Sequence, residues 1–152
     1  PIVWGEPGSN AQHSFYQLLH QGTEAVAIDF LLPRSSVVDR QAQHDLAVAN
    51  CLAQTWALAS GDPAGEAPST HQRYPGRRGS SLLLFERLDP ATLGKLVALY
   101  EHKVLVQGVI WDVNSFDQYG VELGKRLASA LLEAGAEPPA ASISGPLNWL
   151  RG

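Results

Sequence analysis

Three side chains in the last third of the chain, Gln118, Glu122 and Lys125, stand at i, i+4 and i+7. On a helix that spacing brings all three to one face. A lysine ammonium supplies charge and a glutamine amide supplies both a donor and an acceptor, so the pair suits an anionic, hydroxyl-rich ligand. The same spacing also fits an ion pair between Glu122 and Lys125 on a solvated face, with Gln118 as filler, and spacing alone favours that simpler reading. His13 is the second candidate, because an imidazole titrates near neutrality and exchanges protons with ligand oxygens. By itself it reads better as an exposed helix residue with no task. His20 lies seven residues on, but two histidines without a third ligand nearby are weak evidence for a metal, and His20 is read as structural.

The elements that must hold these groups follow from the apolar pattern. Residues 1–4 read as the end of a buried strand. Ser9 and Asn10 can cap a helix that runs to Gln21 and stops at Gly22. Its apolar stripe is Ala11, Phe15, Leu18 and Leu19, with His13, Gln17 and His20 on the other side. His13 then falls in the first helical turn, just past a strand's carboxyl end, where open α/β sheets bind ligands. There the positive end of the helix dipole disfavours an imidazolium.

Residues 25–32 (A-V-A-I-D-F-L-L) form an apolar run of strand length, the mark of a parallel strand covered on both faces, and Pro33 is expected to end it. Residues 39–60 read as a helix with Leu46, Ala49, Leu52, Ala53 and Trp56 as its core stripe and Gly61 as its stop. On that stripe Trp56 is a core residue rather than a sugar-stacking platform. Residues 61–81 have no apolar period and read as an exposed loop. Its Arg73, Arg77 and Arg78 can attract a phosphate but are better read as solvated.

Residues 82–85 are a further strand, and Asp89-Pro90 is a strong helix start. Residues 104–111 are ambiguous between strand and continued helix. Asn114 and Ser115 can cap a new helix from Phe116 that fades near Ala134. An Ala/Pro/Ser-rich tail, 135–152, follows, with residues 147–150 as its expected docking point. The alternation of strands and helices implies a parallel sheet with right-handed crossovers. Three strands leave an open edge, so the chain reads as part of a larger sheet.

With 152 residues, 45% of them hydrophobic and 17% charged, the chain can bury a core. A net charge of −4 argues against nucleic-acid binding, and no apolar run approaches membrane-spanning length. Cys51 is the only cysteine, so no disulfide can form within the chain; it reads as a small core residue and fits a cytoplasmic setting. The sequence contains no methionine, which leads us to expect a fragment, a processed product or an engineered piece.

Residues 108–125 read G-V-I-W-D-V-N-S-F-D-Q-Y-G-V-E-L-G-K, residues 3–23 read V-W-G-E-P-G-S-N-A-Q-H-S-F-Y-Q-L-L-H-Q-G-T, and residues 99–107 read L-Y-E-H-K-V-L-V-Q. In this order and spacing the three blocks resemble the C-terminal part of the glucose-6-phosphate isomerase (phosphoglucose isomerase) family. The resemblance covers most of the chain. It implies a three-layer α/β/α sandwich of sugar-isomerase (SIS) type with a parallel sheet, incomplete as a single domain: 1–134 correspond to the end of the second such domain and 135–152 to the tail. It also implies that residues 104–111 continue a helix.

The resemblance further implies chemistry. The family interconverts glucose 6-phosphate and fructose 6-phosphate, in glycolysis and gluconeogenesis, with no metal or organic cofactor. Acid–base groups open the ring, and a glutamate then carries a proton between C2 and C1 through a cis-enediol(ate). By position the ring-opening histidine is His13, the lysine assisting at the ring oxygen is Lys125, and the phosphate-holding glutamine is Gln118. The base glutamate, a glycine-arginine pair and a serine/threonine phosphate loop match nothing here and belong upstream; Glu6 is not the base. The histidine acts across a dimer interface in the family, so a homodimer is expected of the complete enzyme. Ser9 and Ala11 replace the usual threonine and glycine ahead of Q-H, and Tyr119 stands where tryptophan is common. The runner-up is a non-catalytic sugar-phosphate-binding module of the same fold.

Overall fold

The computed structural model describes residues 5–62, 69–133 and 141–151, with the backbone alone described at 141, 142 and 151. The strand expected at 1–4, the middle of the loop (63–68) and residues 134–140 lie outside the described residues. The elements are α1 (Gly8–Ser14), α2 (Tyr16–Gln21), β1 (Ile28–Ser35), α3 (Gln41–Ser60), a short 3₁₀ turn (Thr70–Gln72), β2 (Ser80–Arg87), α4 (Pro90–Ile110), α5 (Tyr119–Glu133) and α6 (Ala141–Arg151). They fall into two compact units, Pro1–Ala98 and Leu99–Gly152. No helix among the described residues is long and apolar enough to cross a membrane.

In the first unit β1 and β2 pair in parallel, with Phe30 opposite Leu82 and Leu32 opposite Leu84. This is the parallel sheet of an incomplete α/β domain. Among the described residues it has two strands, and the third expected one, 1–4, lies outside them. Pro33 does not end β1: the strand continues to Ser35, with Pro33 opposite Phe85. Proline's fixed φ suits extended backbone and removes only one donor, so the ladder survives it. The strand is not covered on both faces either. Phe30 and Leu32 are buried, whereas Leu31 between them is 44% exposed.

The core gathers Leu19 of α2, Phe30 of β1 and Leu58 of α3, with Phe15, Tyr16, Ile28 and Cys51 packed around them. The expected stripe of α3 is not the one that faces this core. Leu46, Leu52 and Trp56 are exposed, Trp56 by 62%, while Val48, Cys51, Thr55 and Leu58 turn inward. α3 is apolar on two sides, and the pattern alone does not say which side meets β1.

The single helix expected over 9–21 is two. Its start is Pro7, not Ser9 or Asn10, and it breaks at Phe15, with φ −139° and ψ 2°. The Ser14 hydroxyl lies 3.1 Å from the Asn10 carbonyl and 3.0 Å from Glu6 Oε2; such back-bonding bends helices. Gly22 caps α2 as expected, because a Cβ there would meet the Leu18 carbonyl oxygen at 2.5 Å. Gly61 ends α3 at φ 75°, a conformation glycine adopts without strain.

The described part of 61–81 is mostly exposed, apart from buried Gly61 and Gly76, but is tied down. The Gln21 amide donates to the carbonyls of His71 and Arg73 at 2.9 and 3.1 Å. Arg78 is not solvated: it is half-buried and its guanidinium donates to the carbonyls of Gly22 and Glu24.

α4 begins where Asp89 Oδ1 accepts the Thr92 N–H at 2.7 Å, and it runs through the ambiguous stretch to Ile110. In the second unit its end is a Schellman turn. The Val113 N–H reaches the Gly108 carbonyl at 2.8 Å, the Asp112 N–H reaches Val109 at 3.3 Å, and Asp112 sits at φ 54°. α6 occupies the tail, with Pro146 inside it. Residues 147–150 are not docked: Trp149 is 82% exposed and Leu150 is exposed as well.

Candidate active site

His13 is exposed on the first unit, one residue before the end of α1. The expectation that it occupies a first turn is therefore corrected. With the helix starting at Gly8 and breaking at Phe15, His13 is in the last turn, where the N-terminal dipole does not act on it. Its neighbours fix the backbone on either side: Ala11 is buried, and Ser14 is held by Glu6 and Asn10. Glu6 thus acts as a local hydrogen-bond acceptor.

Gln118 and Lys125 belong to the second unit, and both are exposed. The new helix begins at Tyr119, not Phe116, because two acidic or amide side chains capture backbone donors ahead of it. Asn114 Oδ1 accepts the Phe116 N–H at 3.1 Å and Asp117 Oδ1 accepts the Gln118 N–H at 2.6 Å. The Gln118 carbonyl then receives the N–H groups of Val121 and Glu122 at 2.8 and 3.0 Å. Gln118 is the residue that caps α5, and Lys125 lies two turns along it. Among the described residues no salt bridge joins Glu122 to Lys125, and both side chains stand exposed on a solvated face.

The family profile of phosphoglucose isomerase matches residues 1–142. The chain belongs to the phosphoglucose isomerase family. Among curated relatives it is 51% identical over 148 residues to a glucose-6-phosphate isomerase of Chlorobium luteolum, covering 87% of this chain and 27% of that protein. It is 50% identical over 164 residues to one from Deinococcus deserti, covering 99% of this chain and 30% of that one. A crystal structure of a glucose-6-phosphate isomerase from Chlamydia trachomatis superposes with a TM-score of 0.75 at 38% identity, covering 99% of this chain and 29% of that one. The chain thus spans less than a third of the length of these relatives.

No group of three or more His, Cys, Asp or Glu is placed to hold a metal ion among the described residues. What reading the sequence as a phosphoglucose isomerase missed is a polar hollow beside Gln12, the neighbour of His13. It is lined by Tyr16, Gln17, His20, Gln21, Gln54 and Tyr74 among others. A signal for it was present: Tyr16, His20 and Gln17, Gln21 recur at i, i+4 opposite the apolar stripe. Tyr16 is pushed above its ordinary value of 10.0, first by burial and then by the Cys51 thiolate, and burial pushes Cys51 above 9.0.

Proposed function

We propose that the chain provides the ring-opening and phosphate-holding part of an aldose–ketose isomerase that interconverts glucose 6-phosphate and fructose 6-phosphate. The observation that carries this reading is the family membership together with the presence of His13, Gln118 and Lys125 at the motif positions. In it, the exposed His13 imidazole exchanges a proton between the anomeric hydroxyl and the ring oxygen. The Lys125 ammonium, unpaired with Glu122, stabilises negative charge on that oxygen as the ring opens. Gln118 donates amide hydrogens to the phosphate. Proton transfer between C2 and C1 then requires a carboxylate that none of the 152 residues supplies by motif.

On this reading the complete enzyme is a cytoplasmic homodimer of glycolysis and gluconeogenesis that needs no metal, and activity depends on the rest of the family's polypeptide. The 152-residue chain alone therefore does not isomerise fructose 6-phosphate. The test is a coupled assay for glucose 6-phosphate formation, run on the chain by itself and on a complete enzyme carrying these residues. Robust turnover by a sample shown by intact mass to be this chain alone sinks the division of labour. In the complete enzyme His13→Ala should slow cyclic substrate more than an open-chain analogue, and equal losses on both remove the ring-opening role.

A further inference from the structure

The first unit holds a site that the isomerase reading leaves unused. The hollow against α2, α3 and residues 71–74 measures about 390 Å³, within the range of about 300–1,000 Å³ usual for small-molecule sites. A neighbouring hollow of about 310 Å³ shares His20, Gln54 and Tyr74 with it and adds Asp62. His20 is 7% exposed, and its Nε2 lies 3.0 Å from Gln54 Oε1. A carbonyl oxygen only accepts, so Nε2 carries the hydrogen in this contact. Tyr74 meets the imidazole edge-on at 5.4 Å between centroids.

Packing alone does not call for this cluster. A buried imidazole and the half-buried amide it bonds cost free energy that two apolar side chains of similar shape avoid, and the surrounding core is small. The Gln21 amide builds the wall, because both its hydrogens hold the carbonyls of His71 and Arg73. Other groups are left to meet a ligand. The Gln54 amide nitrogen and the Tyr16 and Tyr74 hydroxyls make no hydrogen bond among the described residues, and the tyrosine rings add apolar faces suited to C–H groups. Among the described residues no lysine or arginine lines either hollow, so neither offers a cation to a phosphate.

We propose that this hollow binds an uncharged, hydroxyl-rich molecule of monosaccharide size, and that it discriminates against the phosphorylated form. The proposal does not rest on the isomerase reading. Its test titrates the 152-residue chain with D-glucitol, D-glucose and glucose 6-phosphate while following the side-chain amide NMR signals of Gln17 and Gln54. Either neutral probe should shift those signals with a dissociation constant of about 1–10 mM, as expected for a few neutral hydrogen bonds. Glucose 6-phosphate should shift them less at equal concentration. Gln54→Leu should abolish the shifts at Gln17. If that variant fails to fold, Tyr74→Phe decides, since Tyr74 is exposed and keeps its ring while losing the hydroxyl offered to the ligand, and it should weaken binding about tenfold. His13→Ala should leave glucitol binding unchanged, which separates this site from the isomerase machinery. No response to either neutral probe, a stronger response to the phosphate ester, or loss of glucitol binding in His13→Ala overturns the proposal.

Discussion

Replacing Gly108 by alanine sets two opposed effects against each other at the turn that leads to Gln118. In an open helix the change is favourable by about 1 kcal/mol, because alanine loses less backbone entropy than glycine. Here a Cβ would stand 1.8 Å from Ser115 Oγ, 3.1 Å from the Val113 carbonyl oxygen and 3.2 Å from Ser115 Cβ. Rotating the Ser115 hydroxyl relieves the first contact but leaves the other two tight. Overpacking of this kind costs about 1–3 kcal/mol, and opening the turn also strains the Val113–Gly108 bond, worth about 1 kcal/mol. The clash wins, and Gly108→Ala should destabilise the chain by about 1–2 kcal/mol. Urea unfolding followed by tryptophan fluorescence should show the midpoint falling by roughly 1 M or less at an ordinary m-value. Ser115→Ala in the same background should restore part of the loss, a coupling of about 0.5–1 kcal/mol. The amide protons of Phe116 and Gln118 should exchange faster in Gly108→Ala alone. A single variant as stable as the parent, or a double variant with no recovery, refutes the reasoning.

Other outcomes can be checked on the same chain. Arg78→Lys should lower stability by about 1–3 kcal/mol, because an ammonium cannot span the Gly22 and Glu24 carbonyls as the guanidinium fork does; a urea midpoint unchanged from the parent contradicts this. The Thr92 backbone N–H holds the Asp89 carboxyl below its ordinary value of 3.8. Its stabilisation is therefore present above that value and lost as pH falls through the lowered one, and Asp89→Asn should flatten the acid limb of a stability–pH profile. Burial raises Cys51 above 9.0, so the folded state resists thiolate formation. That contribution is complete below the unfolded value and lost as pH rises from about 9 through the raised one. Cys51→Ala should therefore show a shallower fall in thermal midpoint between about pH 8 and 10.

The sequence marks this fold best where a residue's backbone chemistry is unambiguous. Asp89-Pro90 starts α4, Gly22 and Gly61 stop α2 and α3, and each does so for the reason its chemistry suggests. It marks the fold poorly where side chains compete for backbone groups. Ser14 splits one helix into two, and Asn114 with Asp117 delays α5 until Tyr119, so Gln118 caps the helix instead of riding on its face. Periodicity located apolar faces without their partners: the stripe through Leu46, Leu52 and Trp56 is genuine but turns away from β1. His13, Gln118 and Lys125 stand out by motif position, whereas the hollow at His20 shows in the sequence only as the polar α2 face of Tyr16, Gln17, His20 and Gln21. Its wall comes from segments far apart in the chain, Gln21 and His71 standing 50 residues from each other.

The same distance has a kinetic side. Arg34 and Glu86, at matching heights on the two strands, are 52 residues apart, and parallel pairing offers no hairpin by which to start. The chain must close that long span before a single ladder bond repays the lost freedom. α3 is therefore expected to form early, with the strands meeting late on its inward side at Leu58. Trp56, on the opposite side of α3, would report the first event and be nearly blind to the second.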